Sequence, residues 1–398
     1  MAKGIGSSGV RLAEIQAALR EEGLDGWLFC DHHRRDPLAY RVLQFSPGSM
    51  VTRRWYYFVP AAGEPRGLQH RIEAETLKDL PGSHEFYSGW QELARGLREM
   101  LGGAKRVAMQ YSPNCAVPYV AMADAGTVDL VRGMGVEVAS SANLIQLFES
   151  RWSQEQLAAH LEAGRRVDRV RAEAFRKISA SVRAGGRVNE WEMQQFIRTR
   201  FREEGLVTDH GPDVAVNANA SNPHYEPKRD ASAEIHKGDL VLLDMWARLE
   251  RPEGVYYDIT WVGYCGDRPP EKIQKVFGIV KGARDRAVAR VKEAVASRQT
   301  LRGFEVDDVA RDYIRNAGYG DYFFHRTGHS IGAEVHGTGA NMDNLETHDE
   351  RKIIPRTCFS VEPGIYLPEF GIRSEVDVFV DEDGARITGE AQTEIVLL

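Results

Sequence analysis

Two aspartates lie within apolar, strand-like runs in the second half of this 398-residue chain, and they constrain its fold more than any other feature. Asp244 lies in the run 240–246 and Asp258 in the run 257–264, which the pattern predicts to be the two strands of a hairpin. Burying an unpaired carboxylate costs free energy, and like charges on paired strands repel each other. The hairpin therefore either folds around a cation or keeps an aspartate at a strand end as the cap of a turn.

Three further side chains with metal-binding chemistry follow these aspartates. His329 lies in a glycine-rich stretch with His325 and His336, and glycines let a backbone approach a ligand closely. Glu362 ends an apolar run that Pro-Gly stops, and Glu375 precedes another strand-like run. Four carboxylates and one imidazole suit two divalent ions, such as manganese, cobalt or zinc, better than one structural zinc. Two such ions can share a hydroxide and use it as a nucleophile near neutral pH.

Composition and charge limit the classes of function that the chain can serve. A formal net charge of −7 argues against nucleic-acid and anionic-membrane partners, since both favour a basic surface. No apolar run reaches the roughly 18 residues that a membrane span needs, and residues 1–11 contain no apolar segment typical of a secretory signal. The four cysteines are far apart and form no CxxC pair, which favours reduced thiols and a cytoplasmic location.

Chain length and hydrophobic periodicity predict two domains with a boundary near residue 150. Residues 1–150 alternate strand-like and helix-like segments, which is typical of a small α/β unit. Residues 151–398 combine helix pairs with mainly antiparallel strands, so we predict an α+β layout. Ser153-x-x-Gln156 has the form of a capping box and begins a long helix. Further helices are predicted from residues 189, 270 and 306, and strands at 239–246, 257–264, 357–362, 374–380 and 393–398.

Two other motifs are better explained without a function. Gly4-x-Gly6-x-x-Gly9 matches a dinucleotide-binding fingerprint in letters, but no strand precedes it to position the glycines. The acidic run Asp381-Glu-Asp-Gly384 is typical of a hairpin turn rather than of a cation site. Neither motif adds a cofactor to the prediction.

Five motifs together resemble the creatinase/prolidase/aminopeptidase P family of pita-bread metallopeptidases. They are Leu-Leu-Asp244, Tyr-Asp258-Ile-Thr, His325-Arg-Thr-Gly-His329-Ser-Ile-Gly, Val-Glu362-Pro-Gly-Ile-Tyr366 and Gly-Ile-Arg373-Ser-Glu375. Asn222-Pro-His224-Tyr also resembles the segment in which this family carries an active-site histidine. The resemblance covers nearly the whole chain. It implies a pita-bread catalytic domain at 151–398, preceded by a smaller creatinase-like α/β domain at 1–150.

The same resemblance implies how the metal ions are held and used. Asp244 would bind one ion, and His329 and Glu362 would bind the other. Asp258 and Glu375 would contact both. A hydroxide bridging the ions would attack the carbonyl of the peptide bond before proline, and Glu362 would shuttle the proton.

The resemblance also implies the remaining site residues and the activity. His336 and His224 would stabilise the oxyanion and hold the substrate. Substrate contacts are implied for three further residues, His325, Tyr366 and Arg373. Arg373 is equally well explained as an ion-pair partner of Glu375. The expected enzyme is an Xaa-Pro aminopeptidase or dipeptidase that binds a proline-containing peptide, uses manganese ahead of cobalt or zinc, and forms a homodimer.

The chain departs from the family pattern in four places. Met245-Trp246 follows the first aspartate instead of a small residue and glycine, and residues 250–254 lengthen the segment between the two aspartates. Trp261 replaces a common arginine, and Gly337 replaces a common acidic residue. These changes alter the surroundings of the substrate and remove no metal ligand. Two alternatives remain: a same-fold hydrolase of a non-peptide amide, and an inactive peptide-binding or chaperone module.

Overall fold

The chain forms two compact units, Met1–Glu149 and Ser150–Leu398, in a computed structural model that describes residues 11–46 and 50–398. The glycine motif at residues 4–9 lies outside the described residues. Across the described part of the chain, no helix is both long enough and apolar enough to cross a membrane. The four cysteines are free thiols.

The first unit has a mixed β-sheet at its centre. Its strands are β1 (Gly26–Asp31), β2 (Trp55–Pro60), β3 (Arg66–His70), β4 (Ser83–Tyr87), β5 (Arg106–Met109) and β6 (Glu137–Ser140). Its helices are α1 (Leu12–Glu21), α2 (Pro37–Leu43), α3 (Trp90–Leu101), α4 (Ala125–Arg132) and α5 (Ala142–Ile145). The strand order is β4-β3-β2-β1-β5-β6, and separate apolar clusters cover the two faces of the sheet. This unit therefore has the α/β layering that its sequence predicts.

The second unit combines four long helices of the described chain with several short sheets. The helices are α6 (Gln154–Arg183), α7 (Glu190–Glu203), α8 (Glu271–Ala296) and α9 (Gly303–Asn316). The first strands are β7 (Leu206–Val207), β8 (Asp213–Val216), β9 (Leu240–Leu249), β10 (Tyr257–Tyr264) and β11 (Ser330–Ile331). The later strands are β12 (Thr357–Val361), β13 (Gly364–Leu367), β14 (Phe370–Arg373), β15 (Val376–Val380), β16 (Ala385–Ile387) and β17 (Val396–Leu397).

The sheets of the second unit carry the predicted site residues. One sheet has the order β17-β10-β9-β7, with β8 also paired to β9, and a second has the order β11-β12-β15-β16. Odd-numbered residues of β9, such as Leu243 and Met245, pack with α6 and α7. Even-numbered residues Leu240 and Leu242 pack with α8 and α9. Because side chains alternate along a strand, Asp244 continues the even-numbered face, away from α6 and α7.

The long helix α6 begins as the sequence predicts. Ser153 Oγ accepts a hydrogen bond from the Gln156 backbone N–H at 3.1 Å, and Gln156 Oε1 accepts one from the Ser153 N–H at 2.8 Å. This reciprocal pair satisfies two donors that the first turn leaves free, and the predicted capping box is confirmed. Four residues of the predicted apolar stripe, Val167, Val170, Ala174 and Ile178, are fully buried against β9 and its neighbours, and the last, Val182, is partly buried.

Several strand predictions were wrong in their bounds. The predicted strand 374–380 begins at Val376, because the Glu375 backbone N–H donates to the Thr260 carbonyl at 3.1 Å instead of joining the β12 ladder. The predicted strand 393–398 shortens to Val396–Leu397, and it pairs with β10 in parallel. The predicted turn at Asp381 to Gly384 is confirmed, since the Asp381 N–H donates to the Gly384 carbonyl at 2.7 Å between β15 and β16.

We predict that Gly328→Ala destabilises the protein strongly. A Cβ at residue 328 would overlap the backbone carbonyl of Ser360 in β12, and a backbone atom in a sheet cannot move aside cheaply. The free energy of unfolding should fall by about 2 kcal/mol or more in urea titrations.

The matched control is Gly332→Ala, because a Cβ at residue 332 meets only ordinary contacts, the nearest being the Glu334 carbonyl oxygen at 3.8 Å. If Gly328→Ala and Gly332→Ala lost equal free energy of unfolding, the Ser360 carbonyl would not be the cause of the loss at residue 328.

Candidate metal centre and active site

Asp244 and Asp258 project from neighbouring strands onto one face of the sheet. In the β9–β10 pair, Asp244 lies opposite Thr260 and Asp258 lies opposite Trp246. The two carboxylates are therefore diagonal neighbours on the ladder. Both are buried, with exposed fractions of 9% and 4%. The hairpin thus holds two carboxylates close together away from water.

The other three predicted metal ligands lie against this pair. His329 Nε2 is 3.3 Å from Glu362 Oε1 and 3.6 Å from Asp258 Oδ2. Thr260 Oγ1 is 2.7 Å from Glu375 Oε2 and 2.9 Å from Asp244 Oδ1. All five predicted ligands therefore belong to one connected cluster.

The cluster has the geometry and chemistry of a divalent metal site. Ligand atoms of Asp258, His329 and Glu375 all lie within 4.8 Å of one another, and these three residues are buried. Asp258 Oδ1 is buried and has no hydrogen-bond partner. A buried carboxylate oxygen without a donor is costly, and a cation compensates it. These side chains fit the oxygen-rich ligand set expected for manganese, cobalt or zinc.

Burial and crowding of like charges shift the pKa values of the cluster. Burial, followed by the charge of Asp244, raises the pKa of Asp258 well above its usual range. Burial and then the charge of Asp258 do the same to the pKa of Glu375. Burial raises the pKa of Glu362 to about 7, although Arg373 opposes the shift. Burial lowers the pKa of His329 well below its usual value, so this imidazole is neutral and free to bind a metal.

The three predicted substrate residues form a hydrogen-bonded chain that reaches the cluster. The Arg373 guanidinium contacts Asp244 Oδ2, and its Nε donates to Thr260 Oγ1 at 2.9 Å. Its Nη1 donates to the Tyr366 hydroxyl at 3.2 Å. His325 Nδ1 lies 2.6 Å from the Arg326 carbonyl and must donate to it. His325 Nε2 therefore accepts from the Tyr366 hydroxyl at 2.6 Å. Arg373 forms its ion pairs with Asp244 and with Glu362, the latter at 3.7 Å, rather than with Glu375.

The two predicted catalytic histidines lie in different surroundings. His336 packs edge-on against His329, with ring centroids 4.2 Å apart, and burial lowers its pKa to about 4. His224 is exposed, in a turn where its backbone N–H donates to Asn222 Oδ1 at 3.1 Å. His336 is therefore beside the ligand cluster, whereas His224 lies in a surface turn.

Comparison with known proteins identifies the fold and the chemistry. The sequence profile of metallopeptidase family M24 matches residues 158–382, more than half of the chain. The chain belongs to metallopeptidase family M24.

Individual relatives of this M24 metallopeptidase support the assignment. The uncharacterized peptidase YqhT of Bacillus subtilis is 30% identical over 66% of this chain and 68% of its own. An Xaa-Pro dipeptidase of Pyrococcus furiosus is 33% identical over 41% of this chain and 43% of its own. The crystal structure of dipeptidase PepE from Mycobacterium ulcerans matches with a TM-score of 0.68 at 25% identity, covering 97% of this chain and 96% of that chain.

These findings confirm the predicted resemblance to the creatinase/prolidase/aminopeptidase P family and the predicted pita-bread fold. The protein is an enzyme, a metallopeptidase that uses divalent metal to hydrolyse peptides. The alternative of an inactive binding module is set aside by this assignment.

Two supporting residues of the M24 metallopeptidase site were not predicted from the sequence. Asp377 Oδ2 accepts a hydrogen bond from the Asp258 backbone N–H at 2.8 Å, which fixes the backbone of that ligand. His160 lies 3.9 Å from the same Asp377 oxygen, and its Nδ1 is 2.6 Å from the Tyr256 carbonyl. Asp377 lies two residues from Glu375, so the alternation of side chains along a strand could have indicated that both face the site. No local signal marked His160 in a long helix.

A third residue that the sequence analysis missed is Asp213. It lies directly opposite Asp244 in the antiparallel β8–β9 pair. Burial, followed by the charge of Asp244, raises its pKa to about 8. Like Asp244, it stands beside an apolar run, Val-Ala-Val216, and this pattern was the available signal.

We predict that Glu362→Gln stabilises the metal-free enzyme more at pH 8 than at pH 5. The folded-state pKa of Glu362 is about 7 against an ordinary value of 4.5, so between these values the folded state keeps a proton that the unfolded state loses. Stability then falls as pH rises through that window, and glutamine removes the effect. The gain should grow by up to about 3 kcal/mol between the two pH values, measured by urea unfolding in excess chelator.

The control is Glu253→Gln, which alters an exposed carboxylate in the β9–β10 loop and should show no pH-dependent gain. A gain from Glu362→Gln that is larger at pH 5 would show that the sign of the Glu362 shift is wrong.

Proposed function

We propose that this M24 metallopeptidase cleaves the peptide bond before proline, as an Xaa-Pro aminopeptidase or dipeptidase with two divalent ions. The observation that supports this most is the convergence of five buried ligand side chains from separate segments. They are Asp244, Asp258, His329, Glu362 and Glu375. Similarity to an Xaa-Pro dipeptidase of Pyrococcus furiosus supports the choice of bond.

The arrangement of the cluster is consistent with two metal positions. Asp244 lies on one side, joined through Thr260 to Glu375. His329 and Glu362 lie on the other side, next to Asp258. We therefore assign Asp244 to one ion, His329 and Glu362 to the second, and Asp258 and Glu375 to both. Bound divalent ions polarise a carbonyl and make water nucleophilic near neutral pH.

The residues around the cluster can move the proton and hold the developing charge. Glu362, 3.3 Å from His329 Nε2, is assigned to accept the proton of an attacking water and to release it. The proline nitrogen leaves as an amine and needs that proton. Neutral His336, whose pKa is about 4, can donate a hydrogen bond to the carbonyl oxygen as it gains charge. The exposed His224 is assigned to hold the peptide, as the family resemblance implies.

Aromatic rings beside the cluster suit a proline side chain. The Phe324 and Tyr366 ring centroids are 5.1 Å apart, and Phe324 is 52% exposed. The Tyr366 hydroxyl is fixed between His325 and Arg373. An apolar pyrrolidine ring can pack against such a surface without leaving a polar group unpaired. This supports a proline pocket next to the scissile bond.

We also propose manganese as the metal, a homodimer as the working state and the cytoplasm as the location. Oxygen-rich sites of this kind favour manganese over softer ions. Four unpaired cysteines are consistent with a reducing compartment. The homodimer is inferred from the family resemblance.

The proposed activity is tested by a hydrolysis panel with added manganese. The substrates are Ala-Pro, Ala-Pro-Ala and their proline-free counterparts Ala-Ala and Ala-Ala-Ala. We expect the proline substrates to be preferred by roughly tenfold or more in kcat/KM, since the proline ring can pack against Phe324 and Tyr366. The ratio of Ala-Pro to Ala-Pro-Ala then separates a dipeptidase from an aminopeptidase.

Glu375→Ala should lower kcat/KM by at least about 100-fold and reduce the rise in Tm on adding manganese, because a shared ligand is lost. Asp383→Ala, in the exposed turn between β15 and β16, is the matched control. Equal hydrolysis of the proline-free peptides, or full activity in Glu375→Ala, would contradict the proposed function.

A further inference from the structure

Asp213 occupies a position beside the ligand cluster that the proposed chemistry does not use. It begins β8 and lies directly opposite Asp244 on β9. Directly opposed residues of antiparallel strands project on the same face, with Cβ atoms about 5 Å apart. Asp213 therefore faces the same side of the sheet as Asp244, one strand further from Asp258.

The Asp213 carboxylate differs from the metal ligands in its exposure and in its contacts. It is half-buried, whereas Asp258 and Glu375 are buried. Its carboxylate makes no hydrogen bond or ion pair within residues 11–46 and 50–398. The charges of Asp244 and Glu226 act on it, and the nearby Arg373 forms its ion pairs with Asp244 and Glu362. Asp213 thus offers a half-buried carboxyl group beside the cluster, with no hydrogen-bond partner among the described residues.

An aromatic wall stands beside this carboxylate. Trp246 lies two residues after Asp244, projects on the same face and is opposite Asp258. Its ring packs edge-on against His210, with centroids 5.5 Å apart, and a Cβ on Gly211 would overlap the indole. Trp246 is only 8% exposed, yet no described group accepts a hydrogen bond from its indole N–H. The start of β8 and Trp246 therefore flank a corner where the Trp246 indole N–H and the Asp213 carboxylate both lack hydrogen-bond partners among the described residues.

A substrate cation fits this corner better than a metal ion. A divalent ion needs several ligand atoms, and Asp213 lies on β8, one strand further from Asp258 than Asp244 is. A primary ammonium is compact and needs fewer anionic partners, and a carboxylate forms charge-assisted hydrogen bonds with it. An indole ring also attracts a cation.

We propose that Asp213 binds a primary ammonium group on the substrate residue that precedes the scissile bond, with Trp246 enclosing that residue. This inference rests on the proposed function. It makes Asp213 a specificity-determining residue that selects peptides with a free amino group. The ammonium can be the α-amino group or a lysine side chain, and acylated peptides lose the contact.

The test compares Asp213→Asn with the wild-type enzyme, both loaded with manganese, on Ala-Pro, N-acetyl-Ala-Pro, Lys-Pro and N-acetyl-Lys-Pro. We expect KM for Ala-Pro to rise about tenfold, the usual effect of losing a charge-assisted hydrogen bond, while kcat changes little. The N-acetyl-Ala-Pro rate should be low and insensitive to the substitution. A KM effect that persists for N-acetyl-Lys-Pro assigns the contact to the lysine side chain.

Asp209→Asn is the matched control, because its side chain can keep the 2.9 Å contact with the Tyr256 hydroxyl in the same segment. An unchanged KM in Asp213→Asn would overturn the proposal. So would a KM that rises equally for the free and the acetylated peptide in both the Ala-Pro and the Lys-Pro pair. So would a changed manganese content, which would make Asp213 a metal residue.

Calorimetry separates this proposal from the proposed function. L-alaninamide and N-acetyl-L-alaninamide are titrated into the manganese-loaded proteins, which requires no hydrolysis. Asp213→Asn should weaken L-alaninamide binding about tenfold and leave the acetylated compound unaffected. Equal L-alaninamide affinity in both proteins would overturn the ammonium site even if Xaa-Pro hydrolysis were established.

Discussion

Mutual repulsion among buried carboxylates is the constraint on which the rest of this structure depends. Asp244, Asp258, Glu362 and Glu375 lie in one cluster with a single imidazole ligand beside them. The guanidinium of Arg373, which pairs with Asp244 and Glu362, cannot balance four carboxylates. Burial, followed by the charges of neighbouring carboxylates, raises the pKa values of Asp258 and Glu375, and burial raises the pKa of Glu362. Divalent cations offset the excess negative charge, and the same cations supply the chemistry of a metallopeptidase.

The fold holds the carboxylates together by means of rigid backbone contacts. Paired strands β9 and β10 fix the spacing of the two aspartates, and the Asp258 N–H is held by Asp377. Gly328 lets the histidine-bearing segment lie directly against β12, where a larger residue would meet the Ser360 carbonyl. Main-chain geometry therefore positions Asp244, Asp258 and the segment that carries His329, which reduces the cost of assembling the site.

Sequence patterns predicted the five clustered side chains better than their surroundings. Asp244 and Asp258 could be recognised because a carboxylate inside an apolar run has few explanations other than a cation. Thr260 acquires meaning only through strand register, which places it opposite Asp244 and which no local pattern specifies. The sequence allowed Arg373 either an ion pair with Glu375 or a contact with the substrate. In the structure its guanidinium forms an ion pair with Asp244 rather than with Glu375. The β13–β14 hairpin was missed because Pro363-Gly364 was interpreted as the end of a strand rather than the start of another.

The manganese content of the purified enzyme tests most directly whether the buried carboxylates hold divalent ions. The purified enzyme is incubated with manganese, dialysed extensively and analysed by inductively coupled plasma mass spectrometry. We expect about two manganese ions per chain, because five ligands with two shared carboxylates serve a dinuclear site. A chain that retains no stoichiometric metal, yet remains folded with all four carboxylates in place, would contradict it.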